Sequence, residues 1–283
     1  MVEPTAAVGF IGVGDIGAPM CEHLIGWPGG LYVLDRRPEA VESFVSAGAT
    51  SADSVQQVAA ECGVICIMVQ TGDQVRSLLD GDEGILANAR PGTVVVVHST
   101  ISVEEAAEFA EMAAHHDIAV LDAPVSGGAM GARQGELAVM VGGARDAFEK
   151  ALPVLETFGG MIKRMGDAGA GTRTKIARNL ITFASYAAVG ESMRLAEASG
   201  LDIRKLAQIV LHSDALSGGP GAIMVRATTA PMEADDPLRP HFEHAVALGL
   251  KDVAFAVQMG EELGVDVSVA RLTEQKLPPA LGL

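Results

Sequence analysis

The sequence predicts an α/β fold: a doubly wound parallel sheet in the first half, one long connecting helix, and an all-α second half. Three observations predict it. The first half alternates short β-branched apolar runs with longer helical patterns, the rhythm of a parallel sheet covered on both faces. The glycine-rich stretch Gly166-Asp-Ala-Gly-Ala-Gly171 then interrupts that rhythm. Beyond it the strand signal disappears, and 172–199 reads as one helical stretch rich in Ala, Ile, Leu and Met.

Taken in order, strands are expected at 7–12, 31–34, 64–69, 93–98, 118–122, 138–141 and 161–164. Helices are expected between them at 19–25, 38–47 (with Pro38 in its first turn), 74–79, 103–114 and 146–158. At about 1.5 Å per residue the 172–199 helix spans about 40 Å, enough to leave one domain and form the backbone of another. The boundary is therefore placed near Asp167, giving a sheet domain over 1–167 and a helical domain over 168–283. Within the second, breakers are read at 217–221 and 231–240.

Composition narrows the function. The chain has 283 residues, 49% hydrophobic and 20% charged, as in a packed globular protein. Its net charge of −16, without any Lys/Arg-rich run, argues against nucleic acid as a partner. Mean hydropathy is +0.30, yet the apolar runs are of strand length, so no membrane span is expected. The first basic residue is Arg36, so the early apolar stretch lacks the charged start of a signal peptide, and a cytoplasmic location is expected. Cys21, Cys62 and Cys66 read as reduced core thiols.

Gly12-Val-Gly14-Asp15-Ile16-Gly17 follows an expected strand and opens an expected helix, the context that gives this glycine spacing its meaning. Gly12 serves the tight turn, Gly14 the approach of backbone amides to a pyrophosphate, and Gly17 close packing of helix on strand: a Rossmann-type arrangement. Asp35 ends the next strand at the spacing where a carboxylate accepts bonds from ribose hydroxyls, which favours NAD. Arg36 and Arg37 point the other way, towards a 2′-phosphate and NADP; alternatively, Arg36 lies over the adenine face.

Two further segments bear on chemistry. The run from Asp122 to Gly135, containing Ser126, Gly127 and Gly128, follows a strand and offers successive backbone amides beside a hydroxyl, a concavity suited to a carboxylate. Lys175 and Asn179 are i and i+4 at the start of the long helix, hence on one face. A lysine there, partly buried and near the helix N-terminal field, has a lowered pKa and can exchange a proton with a substrate hydroxyl. His241-x-x-His244 lacks a third ligand at motif spacing, so no metal site is expected.

Together, Gly9 to Met20, Asp122 to Gly135, Gly171 to Asn179 and Lys251-Asp252 resemble the four ordered motifs of the 3-hydroxyisobutyrate dehydrogenase-related β-hydroxyacid dehydrogenase family, over nearly the whole chain. The resemblance implies reversible hydride transfer on a small 3-hydroxy acid with Lys175 as acid/base. It also implies that Ser126, Gly127, Gly128 and Asn179 hold a small carboxylate substrate, and that the chain is a homodimer or homotetramer. It carries cofactor contacts onto the first glycine loop, Asp35, Thr100, Phe242 and Lys251, and Gln70 falls in the loop on the adenosine side. The chain departs from the family in having Arg178 before Asn179, Gln70-Thr71-Gly72 in place of a proline turn, and a tail without the usual aspartate and serine. Two rival readings are an NADP-dependent reductase of glyoxylate- or succinic semialdehyde-type acids and a non-catalytic dinucleotide-binding regulator. Lys175 argues against the related imine reductases, which carry an acid or tyrosine there.

Overall fold

In a computed structural model, which describes residues 6–226 and 228–283, the chain divides into two compact units, one ending at Arg178 and the other running from Asn179 to Leu283. The first unit opens with β1 (Ala7–Ile11), α1 (Gly17–Glu22) and β2 (Leu31–Leu34), then a 3-10 turn at Pro38–Val41 leading into α2 (Glu42–Ser46). It continues through β3 (Thr50–Ser51), α3 (Val55–Glu61), β4 (Cys62–Ile67), α4 (Gly72–Leu79), α5 (Ile85–Asn88), β5 (Val94–Val97) and α6 (Val103–Ala114). Its last part comprises β6 (Ala119–Asp122), β7 (Val125–Ser126), α7 (Gly128–Gln134), β8 (Ala138–Gly142), α8 (Arg145–Leu155) and β9 (Met161–Gly166). The long helix α9 (Ala170–Ala198) starts in this unit, and α10 (Ile203–Ser217), α11 (Arg239–Leu263) and α12 (Ser268–Ala280) follow it.

The sheet runs β3-β2-β1-β4-β5-β6-β8-β7, with β9 on β8. All pairings from β3 to β6 are parallel, β8 is antiparallel to β6 and β7, and β9 is parallel to β8. This is the doubly wound order, whose direction reverses between β1 and β4. Strand alternation sorts the core into two layers. Val8 and Phe10, Val64 and Cys66, and Val94 and Val96 pack on one face with α1 and α8, while Ile11, Ile65, Ile67, Val95 and Val97 pack on the other with α3, α4 and α6.

The expected strands and helices of the first half are present with ends shifted by a few residues. Thr50–Ser51, Val55–Glu61, Ile85–Asn88, Val125–Ser126 and Gly128–Gln134 are elements beyond that expectation. The 122–135 segment is thus no simple glycine loop: it holds a strand and a helix, with Gly127 and Gly128 at φ +136° and +62° forming the bend between them. Two-residue strands have no period to read, and glycines at 128 and 131 hide the helix from propensity. Helix 55–61 carries a legible start, since Ser54 Oγ accepts from Gln57 N at 3.2 Å. The 172–199 helix begins at Ala170, and α11 begins inside the expected breaker, with Pro240 in its first turn.

All three cysteines are free and buried in the first unit. Burial raises every one of these thiol pKa values, that of Cys62 to about 12. In the second unit α11 and α12 pack together, and a small cluster of Met232, Phe242, Val246 and Leu281 is buried. Glu191 is 5% exposed and accepts from Val269 N and Ala270 N, both at 2.8 Å, closing the first turn of α12. Among the described residues no helix is long and apolar enough to cross a membrane.

Candidate active site

The carboxyl ends of β1, β2 and β4 open into a cleft of about 830 Å³, at the place where the strand order reverses. Its walls include Gly12, Gly14, Asp15, Asp35, Arg36 and Gln70. Gly12 sits at φ +96°, and a Cβ there would run into the Met68 carbonyl at the end of β4. At Gly17 a Cβ would strike the Gly12 carbonyl, so α1 can start this close to β1 only without one. Gly14 differs: a Cβ there would meet nothing within 4 Å and would stand in the cleft. Ile16 is half-buried and packs on the core below the turn.

Asp35 is fastened into this turn. Its Oδ2 accepts from Val13 N at 2.9 Å, and its Oδ1 accepts from Arg37 N at 3.0 Å and Arg37 Nε at 3.2 Å. Partial burial pushes the carboxyl pKa up, but the bonds from the Arg37 and Val13 amides and the Arg37 guanidinium outweigh it and hold the group below the usual carboxylate range. Arg36 is exposed on the cleft wall, whereas Arg37 is engaged with Asp35. Ser99 received no role from the sequence. Its hydroxyl donates to Val69 O at 2.7 Å and accepts from Val69 N at 3.0 Å, tying the segment after β5 to the one after β4.

A dinucleotide fits these residues. The cradle at Gly14 is the space a side chain would fill, and a carboxylate whose pKa is held down stands at the end of β2.

A second group of expected residues meets at the start of α9. Lys175 Nζ donates to Val125 O at 2.7 Å, which brings the amine beside Ser126 and the bend at Gly127 and Gly128. Burial lowers the Lys175 pKa, and the Arg178 charge one turn along lowers it further. Asn179 lies four residues on in the same helix and is half-buried. Asp122, another residue without a sequence-assigned role, is 2% exposed; Oδ1 accepts from Gly169 N at 2.8 Å and Oδ2 from Thr172 N at 2.7 Å. An aspartate closing an apolar strand, with a glycine-rich break some fifty residues on, is the only sequence trace of that contact.

Three expected residues remain, one in the first unit and two in the second. Thr100 is exposed just after Ser99. In the second unit Lys251 is exposed and 3.2 Å from Asp252, and Phe242 is 2% exposed, its side chain occupied in packing against Met232, Val246 and Leu281. His241 and His244 are both exposed, and among the described residues no group of His, Cys, Asp or Glu is arranged to hold a metal.

Comparison with known proteins agrees with this geometry. Residues 7–166 match the NAD binding domain of 6-phosphogluconate dehydrogenase, and residues 169–280 match the NAD-binding domain of NADP-dependent 3-hydroxyisobutyrate dehydrogenase. The chain is 49% identical to an uncharacterized oxidoreductase of Mycobacterium tuberculosis over 99% of its own length and 94% of that protein's. It is 38% identical to 3-hydroxyisobutyrate dehydrogenase of Pseudomonas aeruginosa, covering 76% of this chain and 72% of that one. Among solved structures, a Mycobacterium avium 104 protein described as an oxidoreductase superposes with a TM-score of 0.93 at 47% identity, over 97% of this chain and 98% of that one. Mycobacterium tuberculosis 3-hydroxyisobutyrate dehydrogenase, solved with L-serine, gives 0.68 at 31% identity, over 98% and 93%. Fold, cleft and relatives define an NAD(P)-dependent dehydrogenase acting on CH–OH groups. Within that class, the chain belongs to the 3-hydroxyisobutyrate dehydrogenase-related family.

Proposed function

We propose that this dehydrogenase uses NAD to oxidise, reversibly, a small 3-hydroxy acid of the 3-hydroxyisobutyrate type, with Lys175 as general acid/base. The observation that carries the reading is the 2.7 Å bond from Lys175 Nζ to Val125 O, which sets a half-buried amine of lowered basicity next to Ser126. Gly12, Gly14, Asp15, Ile16 and Gly17 would hold the pyrophosphate, Asp35 the ribose, and Arg36, Gln70 and Thr100 the rest of the nucleotide. NAD when bound supplies the hydride acceptor. Ser126, the amides at Gly127 and Gly128, and Asn179 orient the substrate carboxylate. The neutral Lys175 amine takes the hydroxyl proton as the C–H bond breaks and the carbonyl forms; in the reverse direction the ammonium returns it.

What favours NAD over NADP is the engagement of Arg37 with Asp35. A 2′-phosphate would have to break that ion pair and face the carboxylate. A second copy of the chain is the proposed partner, because Phe183, Leu211 and Phe255 are exposed on the helices of the second unit.

The test is a cofactor-reduction screen over small hydroxy acids with both nucleotides, run on wild type, Lys175→Ala and Lys175→Arg. Lys175→Ala is expected to lower turnover by ~10²–10⁴-fold at unchanged NAD affinity. Lys175→Arg should not rescue it, because a guanidinium stays protonated. Wild-type oxidation should rise with pH as Lys175 loses its proton, with the midpoint below the ordinary lysine value of about 10.4. Near-wild-type turnover in either variant defeats the assignment.

A further inference from the structure

We infer that Asp122 is a positioning residue for Lys175: its buried carboxylate fixes the first turn of α9 against the end of β6, and so sets where the lysine amine stands. The inference rests on the acid/base reading of Lys175.

Asp122 closes β6, and its two oxygens accept from Gly169 N and Thr172 N, at the mouth and in the first turn of α9. Three residues after Asp122 the chain reaches Val125, whose carbonyl accepts from Lys175 Nζ, and Lys175 is three residues beyond Thr172. These bonds close a loop from strand end to helix turn to lysine and back to the strand-end segment. Both carboxylate bonds are short and sealed from water. Such charge-assisted bonds are roughly twice as strong as neutral ones.

The helix turn and the strands meet without side chains between them. A Cβ at Gly171 would run into the Met140 and Asp122 carbonyls, and one at Gly142 would run into Asp122 Oδ1. Backbone therefore packs on backbone here, which leaves little freedom to slide or roll. Thr172 adds to the seal: it is fully buried, and its side-chain oxygen has no hydrogen-bond partner, so only its amide is used, by Asp122. A helix free to turn by a fraction of its pitch would carry Lys175 away from Val125 and Ser126. A misplacement of about 1 Å is enough to lower a rate by ~10²-fold.

Asp122→Asn keeps the shape but turns one acceptor oxygen into an NH₂ group facing a backbone N–H. Turnover is measured per NAD-binding site, counted by titration, together with the primary deuterium isotope effect on kcat. The expected result is a ~10–100-fold fall in turnover per site, unchanged NAD affinity, and an isotope effect that rises as the hydride step becomes slowest. A role in stability alone would reduce the number of binding sites and leave turnover per site and the isotope effect as they are; that result overturns the inference. Should Asp122→Asn not fold, Asp122→Glu keeps the charge while moving the acceptor oxygens by one methylene, and the same two outcomes decide. Lys175→Ala is run alongside. Full turnover there defeats the acid/base reading itself, whereas its loss combined with an unaffected Asp122→Asn defeats only the positioning role.

Discussion

The two units of this chain use the same device and very different cores. Each places a buried carboxylate on the first turn of a helix: Asp122 on α9 in the first unit, Glu191 on α12 in the second. Around Asp122 the sheet is sandwiched between two layers, with Phe10, Phe109 and Phe158 fully buried. In the second unit the described residues form one small buried cluster, at Met232, Phe242, Val246 and Leu281, and Leu180, Phe183, Tyr186, Leu211, Leu216 and Phe255 are exposed. Most large apolar side chains of the first unit are buried in these two layers, with Met130, Met161 and Met165 among the exceptions. The second leaves large apolar side chains exposed on its helices, the surface on which the proposed second copy would sit.

The largest expected effect tests that contrast in the cores. Phe10→Ala should cost the first unit about 3–5 kcal/mol, read by denaturant unfolding followed through NAD binding, at any protein concentration. Phe242→Ala in the second unit should cost less, because fewer buried neighbours surround the cavity, and its midpoint should rise with protein concentration if a second copy contributes to stability. Equal and concentration-independent losses would erase the distinction. Next in size is association: Leu211→Asp with Phe255→Asp should shift the chain to monomer in light scattering, whereas Met161→Asp, on an exposed apolar residue of the first unit, should not.

Smaller effects sharpen the shared device. Glu191→Ala removes the acceptor for two amides and is expected to destabilise the second unit by about 1–2 kcal/mol in thermal unfolding, leaving NAD affinity intact. A matching loss of NAD affinity would mean that the units do not respond separately. Smallest is the acid response of Asp35. Its folded pKa is depressed, so its contribution is fully present above the unfolded value of about 3.9 and is lost as pH falls through the folded one. An acid titration of the melting temperature should show that limb in wild type and lack it in Asp35→Asn.

The sheet was legible because Val64 to Ile67 and Val94 to Val97 are apolar at every position, the mark of strands covered on both faces. The cleft was legible too, since Gly12, Gly17 and Asp35 are local in sequence and each has a steric or electrostatic reason for its type. Contacts made across long stretches of chain were not. Nothing near Asp122 names Gly169 and Thr172 as its partners, and Ser99 reaches Val69 through a hydroxyl that looks like any other. Phe242 is buried by neighbours such as Leu281 that lie far along the chain, another contact that the local sequence does not name.

The cysteines give this molecule a built-in clock. Cys21, Cys62 and Cys66 all lie in the first unit, and the rest of the chain has none. Burial keeps the three as protonated thiols, which alkylating reagents attack poorly, so labelling must wait for the sheet to open. The rate at which iodoacetamide marks the native protein therefore reports the breathing of the nucleotide-binding half alone, whatever the helical half is doing. Added NAD should slow that marking in proportion to how firmly it holds the sheet shut.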